Sequence, residues 1–190
     1  MDDTGTESVY TVGTFDSSIL ESVVETPAVP LTADAIKMGL RRIGYHPLLL
    51  KHAFLELVLS DLGLNDIDQL NLYPSIMFLD ISNNKIDSLR VLSKLTTLVE
   101  LKASHNYLKS CLNFAAPLCN ASHAWREGHK AVGSLLTIAD LSYNKIDRLP
   151  NLSEHLFLEQ LLLSHNAINE INGLSGLSYL QVRQLRRTLQ

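Results

Sequence analysis

The segments LDISNNKIDSL (79–89), LKASHNYLKSC (101–111), ADLSYNKIDRL (139–149) and LLLSHNAINEI (161–171) carry one pattern four times. Aligned on Asn84, Asn106, Asn144 and Asn166, apolar residues recur in phase. Ile81, Ala103, Leu141 and Leu163 stand three before the asparagine, and Leu79, Leu101, Ala139 and Leu161 five before. Ile76, Leu98, Leu136 and Leu158 stand eight before. Ile86, Leu108, Ile146 and Ile168 follow by two, and Leu89, Cys111, Leu149 and Ile171 by five. An earlier copy has Phe54, Leu57, Leu59, Leu64 and Ile67, with Leu62 in the asparagine place. The L-x-L segment predicts a short strand whose leucines point inward and whose x residues point out. Strands one period apart stack in parallel, each filling the same interior slot. The asparagine turns the chain after the strand, and its amide bonds backbone of its own coil and of the next in a ladder.

This is L-x-x-L-x-L-x-x-N-x-L, the leucine-rich repeat signature. The four segments resemble the 22-residue class of intracellular leucine-rich repeats, which includes a regulatory subunit of protein phosphatase 1 and several axonemal proteins. The order of a helix over 32–43, an asparagine-free strand Phe54–Leu59, and ELKASHNYL followed by NFAAP is similar to repeat proteins that also carry a guanylate kinase domain. A second similarity is to the leucine-rich repeat proteins of ciliary radial spokes. The resemblance implies an α/β leucine-rich solenoid, a curved parallel sheet with a short helical or loop convex side. It implies protein binding without catalysis, in the cytoplasm and on the cytoskeleton or cilium. A phosphatase-regulatory role, or the interaction part of a guanylate kinase protein, is the alternative. No G-x-x-x-x-G-K occurs to cradle a phosphate.

Spacing locates an interruption. Asn84 to Asn106 and Asn144 to Asn166 are each 22 residues, but Asn106 to Asn144 is 38, so 16 extra residues lie within 115–135. That stretch lacks the pattern and holds the only tryptophan, Trp125. It reads as an inserted loop. A sixth copy starts at Leu180 and Leu185, with Arg183 in an interior slot and Thr188 in the asparagine place. Both a genuine short form and an altered gene product, with intron-derived sequence at 119–134, fit this ending. About five repeats are therefore expected over 54–190.

Upstream, Thr32 can cap a helix with Asp34 in its first turn. Ile36, Leu40 and Ile43 share one helical face, Arg41 and Arg42 fall in the last turn, and Gly44 serves as a stop. Residues 31–53 are read as a helical cap on the array. Residues 1–30 hold six acids and no Lys or Arg, with many Ser and Thr, and read as a disordered acidic leader.

Composition narrows the function classes. With 20 acidic and 16 basic residues, the net charge of −4 gives no electrostatic claim on nucleic acid. No run of 18 apolar residues exists for a membrane span, and the start MDDTGTESVY lacks the signal-peptide pattern. Cys111 and Cys119 are too few for a disulfide framework, which suits a reducing cytoplasm. No cofactor is expected. Cys119, His123 and His129 give three metal ligands without a closing fourth. Asn120 and Asn151 match the glycosylation pattern by chance in a chain without a signal peptide.

The strand x positions define the candidate floor. Six before the asparagine stand Glu56, Phe78, Glu100, Ile138 and Gln160, and four before stand Val58, Asp80, Lys102, Asp140 and Leu162. One before stand Asp61, Asn83, His105, Tyr143 and His165. Acids, one lysine and aromatics suit a protein partner, with Phe78 and Tyr143 as anchors. Ser60, Ser82, Ser104, Ser142 and Ser164 recur two before the asparagine and belong to the repeat. Ser104–His105 and Ser164–His165 are not read as nucleophile pairs, because strand neighbours point to opposite faces and no oxyanion site accompanies them.

Overall fold

The computed structural model describes residues 27–46, 50–114 and 134–181. The acidic segment up to residue 26, Trp125, Cys119, His123, His129, and the tail with Arg183, Leu185 and Thr188 lie outside these residues.

One six-stranded sheet runs in chain order, from β1 (Leu40–His46) and β2 (Lys51–Val58) through β3 (Phe78–Asp80), β4 (Glu100–Lys102), β5 (Ile138–Asp140) and β6 (Gln160–Leu162). β1 pairs antiparallel with β2, and every later pair is parallel. Leu57, Leu79, Leu101, Ala139 and Leu161 lie in register, so the assigned repeat phase is the pairing phase. The coils form a β-solenoid of about four turns. Glu100 still faces Ile138, and Ser110 faces Arg148, so the 38-residue interval leaves the register intact. The chain is still packed in the stack at Cys111, Leu112 and Phe114, all buried. Ser134 is already back in it: it is buried, and its N–H donates to the Glu154 carbonyl at 3.2 Å.

The interior slots three, five and eight before the asparagine are all buried from Ile76 to Leu163, as are Ile86, Leu108, Ile146 and Ile168. On the far side of the coils, buried Leu70 and Leu92 sit in 3-10 helices Asp68–Leu72 and Arg90–Lys94. Two expected interior residues are instead exposed. Phe54 is on the antiparallel hairpin opposite Ile43, before the coil begins, and Ile171 is near the open end of the stack.

The cap differs from expectation. Helix α1 (Ala33–Gly39) starts as predicted, with Thr32 Oγ1 accepting from Ala35 N at 3.2 Å, but it ends at Gly39. Leu40–His46 is strand rather than helix, and Ile43 is exposed. A Cβ at Gly39 would overlap the Val58 carbonyl, and one at Gly44 would lie 2.7 Å from Leu55 Cδ1. These glycines permit close packing on β2, and Gly44 stops no helix. Backbone bonds to β2 outweigh the weak helical periodicity. Residues on both sides of the expected leader–cap boundary also join the array, with Pro30 facing Asp66. Val29 N donates to Asn65 Oδ1 at 2.7 Å, and Leu31 N to the Asp66 carbonyl at 2.9 Å.

At the other end Gln181 faces Gln160, a 21-residue step, where a 22-residue step would bring Val182. Gly173 and Gly176, at φ 72° and 91°, tighten the loop before it.

Candidate protein-interaction face

Each asparagine reaches backward along the array. Asn106 Oδ1 accepts from Ile86 N at 3.0 Å, and its Nδ2 donates to the carbonyls of Ile81, Ala103 and Ser104 at 2.9–3.2 Å. Asn84, Asn144 and Asn166 repeat this, with Leu64 N, Leu108 N and Ile146 N as donors to Oδ1. The ladder ties each coil to the preceding one, not the next. Leu62 stands in the first asparagine place, where among the described residues the antiparallel strand β1, not a parallel coil, precedes β2.

The residue before each asparagine takes the left-handed conformation, with φ of 62°, 56°, 55°, 56° and 57° at Asp61, Asn83, His105, Tyr143 and His165. Asp, Asn and His tolerate this region better than most residues, and tyrosine does not. All five side chains are exposed. Three of them stack: the Tyr143 ring lies between His105 at 4.2 Å and His165 at 4.1 Å, with interplanar angles of 9° and 13°. Ser104 and His105, and Ser164 and His165, lie in the turn beyond the strand rather than on it. Their imidazoles are engaged in the ring stack, and Ser104 Oγ donates to Ser82 Oγ at 3.3 Å.

On the strands, Glu56, Phe78, Glu100, Ile138 and Gln160 are half-buried and point away from the core, as do Val58, Asp80, Asp140 and Leu162. Lys102 is exposed, and its Nζ pairs with Glu100 Oε1 on its own strand at 3.3 Å. Asp80 Oδ1 accepts from Ser82 N, and Asp140 Oδ1 from Ser142 N, each at 3.0 Å. Those bonds close the turn after the strand and fix both carboxylates. Two shallow pockets indent this face. One is lined by residues including Arg42, Phe78, Asp80 and Lys102, the other by His105, Asp140, Tyr143 and His165 among others.

Arg42 is the residue that sequence reading missed. It occupies β1 with φ 44°, so its guanidinium lies 4.6 Å from the Phe78 ring centre and 3.7 Å from Glu56 Oε2. Phe78 is therefore covered by the cap rather than bare. Only the pairing of β1 with β2 brings Arg42 there, and no local signal announces it.

Cys111, His46 and His155 are buried in the array rather than on this face. Burial pushes the Cys111 thiol up to about 12, far from a reactive thiolate. His46 is buried, with Nε2 3.2 Å from Thr97 Oγ1, and Thr97 Oγ1 is 3.0 Å from the Pro74 carbonyl. Desolvation lowers its pKa, with Lys51 adding to the shift and a backbone bond opposing it. His155 is buried eleven residues before Asn166, the place that buried Leu95 holds before Asn106. Its pKa is lowered by desolvation against the opposing charge of Glu154. No group of three or more metal-ligating side chains comes together among the described residues. Nor is any helix among them long and apolar enough to cross a membrane.

Stacked 22-residue coils, an asparagine ladder and a parallel sheet with one outward polar face define a leucine-rich repeat solenoid. Comparison places named homologues beside it. Leucine-rich repeat-containing protein 23 of Bos taurus is 34% identical over 133 residues, which cover 66% of this chain and 38% of that protein. The Homo sapiens protein of the same name is 33% identical over 140 residues, covering 74% and 36%. The human leucine-rich repeat and guanylate kinase domain-containing protein is 34% identical over 87 residues, covering 46% of this chain and 10% of that protein. The chain thus matches well under half the length of these relatives. No protein-family model matches it. Among solved structures, a Listeria monocytogenes internalin aligns over 63% of this chain and 38% of its own, with TM-score 0.41 and 19% identity. The functional domain of InlJ from the same species aligns over 62% and 26%, with TM-score 0.38 and 22% identity.

Proposed function

We propose that the chain is a non-catalytic protein–protein interaction scaffold that works through the outward, concave face of its sheet. The binding residues are Glu56, Phe78, Asp80, Glu100, Lys102, His105, Asp140, Tyr143, Gln160 and His165. Tyr143 carries the proposal. A tyrosine held at φ 56° stores about 1–3 kcal/mol of backbone strain. The residue is 46% exposed and fills no core slot. Asparagine would make the same turn at lower cost. Exposed, pre-stacked aromatic rings are the residue type that protein interfaces use as anchors.

The cytoskeletal or ciliary setting, within the cytoplasm, rests on the resemblance of the repeats to axonemal and radial-spoke proteins. The test is capture from an extract of ciliated cells by the tagged chain, probed for tubulin, axonemal proteins and phosphatase catalytic subunit. Retention of axonemal proteins, lost in Tyr143→Ala, supports the reading. Retention of the phosphatase subunit alone favours a phosphatase regulator. A second reading, the interaction part of a guanylate kinase protein, is favoured by the 34% identity to such a protein over 87 residues. A kinase-coding segment in the same transcript decides for it.

A further inference from the structure

The outward face already holds one cation, and the way it does so indicates what else it takes. Arg42 reaches over the sheet edge and sits against the Phe78 ring and the Glu56 carboxylate. Its left-handed backbone falls between the paired positions Arg41–Glu56 and Ile43–Phe54. Lys102 and Glu100 form the second pair on the floor. Arg42 and Lys102 thus neutralise Glu56 and Glu100, and of the four outward carboxylates on the strands two remain.

Those two are Asp80 and Asp140. Both occupy the same row, on β3 and β5, and flank Lys102 in register. Among the described residues neither lies within ion-pair distance of a Lys, Arg or His. Each is half-buried, so its charge is less screened than that of a fully exposed acid. Each is held by one serine N–H at 3.0 Å, which orients the group before any ligand arrives. Each lines one of the two shallow pockets of this face, and in the first Arg42 and Lys102 are offset by Glu56 and Glu100, so Asp80 leaves it one net negative charge. Two strand spacings set the aspartates roughly 10 Å apart.

We propose that the face binds a basic segment of a protein partner, which places one cationic side chain in each pocket, against Asp80 and Asp140. This rests on the protein-binding role proposed above and adds the partner's chemistry. A polyproline II segment has three residues per turn and advances roughly 3.1 Å per residue, so basic residues three apart lie on one side about 9 Å apart and match the two pockets. The charge complementarity is specific to this row. Along it the floor reads Val58, Asp80, Lys102, Asp140, Leu162, and Lys102 disfavours a third cation between the two aspartates.

The test is titration of isotope-labelled protein, followed by NMR, with Arg-Ser-Ser-Arg blocked at both ends, and with Glu-Ser-Ser-Glu as control. Asp80→Asn and Asp140→Asn keep the oxygen that accepts from the serine N–H, so the turn is conserved while the charge is removed. The account expects shifts on the outward residues of β3–β5 with the basic peptide only. Each single substitution should weaken binding ~2–5-fold, and the double substitution ~4–25-fold. Equal binding of the acidic peptide, shifts elsewhere, or unchanged binding in the double variant overturns the proposal. Should a captured partner be lost in Tyr143→Ala yet unaffected by the double Asn variant, protein binding stands and the basic-segment proposal falls alone.

Discussion

Asn106→Ala removes the centre of the ladder, and the structure sets the size of the effect. The side chain makes four hydrogen bonds and is 3% exposed. The three carbonyls that accept from Nδ2 each keep another donor. Ile81 O retains Asn84 Nδ2, Ala103 O retains Asn144 Nδ2, and Ser104 O retains Asn83 N. Ile86 N–H keeps none, because its acceptor is Asn106 Oδ1 and Ile86 is 1% exposed. An orphaned buried donor costs about 1–3 kcal/mol, and the other lost bonds add about 1 kcal/mol. At ~2–4 °C per kcal/mol for a chain of this size, the melting temperature should fall by ~4–16 °C. Asn166→Ala takes the acceptor from Ile146 N–H, which is as buried as Ile86, but the amide itself is half-buried and water can enter the place it leaves, so the loss should be smaller than for Asn106→Ala. Asn106→Asp should cost more than Asn106→Ala, because a carboxylate oxygen then faces the carbonyls of Ile81, Ala103 and Ser104. Thermal melts by circular dichroism, at fixed pH and concentration, check the order. A melting temperature for Asn106→Ala within ~2 °C of the parent, or a larger loss from Asn166→Ala, refutes the ladder argument.

Leu101→Asp puts a carboxylate in a fully buried slot, at a cost of several kcal/mol against a total stability of about 5–15 kcal/mol. Loss of the folded circular dichroism signal is expected, and a near-parental melt would show the register to be wrong. Stability should also depend on the two buried histidines. Both pKa values lie below the ordinary value near 6.5, so the unfolded chain binds more protons there. Stability is thus full above about pH 6.5 and declines as the pH falls below it. His155→Leu should flatten that decline in urea titrations, and an unchanged slope would exonerate His155. Deleting 118–133 restores 22 residues between Asn106 and Asn144 while keeping the buried Ser134. Loop shortening alone changes closure entropy by only ~0.6 kcal/mol per doubling, so the variant should melt at the parental temperature or above. Unfolding on deletion would make the segment part of the structure.

The repeat register was legible because every coil must fill the same slot. Leu79, Leu101, Ala139 and Leu161 could be aligned from sequence and are paired in the sheet. The cap was not, because Ile36, Leu40 and Ile43 satisfy a helical period that long-range pairing of Leu40 with Leu57 overrides. Arg42 could not be placed on the floor without that pairing. The left-handed turn had a readable signal: Asp61, Asn83, His105 and His165 are residue types that tolerate positive φ, all in one column. Read that way, the column would have marked Tyr143 as the strained exception. The one-residue shortening before Gln181 had weaker clues in Gly173 and Gly176.

The central claim is that the outward sheet face carries binding, and it is tested by comparing faces on one captured partner. Phe78→Ala and Tyr143→Ala lie on the sheet side, and Asn65→Ala and Asp147→Ala lie in the segments that follow the strands. Affinities are measured by calorimetry, with folding verified by circular dichroism. The account predicts a loss of ~1 kcal/mol or more from each of the first two and no change from the last two. Equal losses from Asn65→Ala or Asp147→Ala, with Tyr143→Ala unchanged, would contradict it.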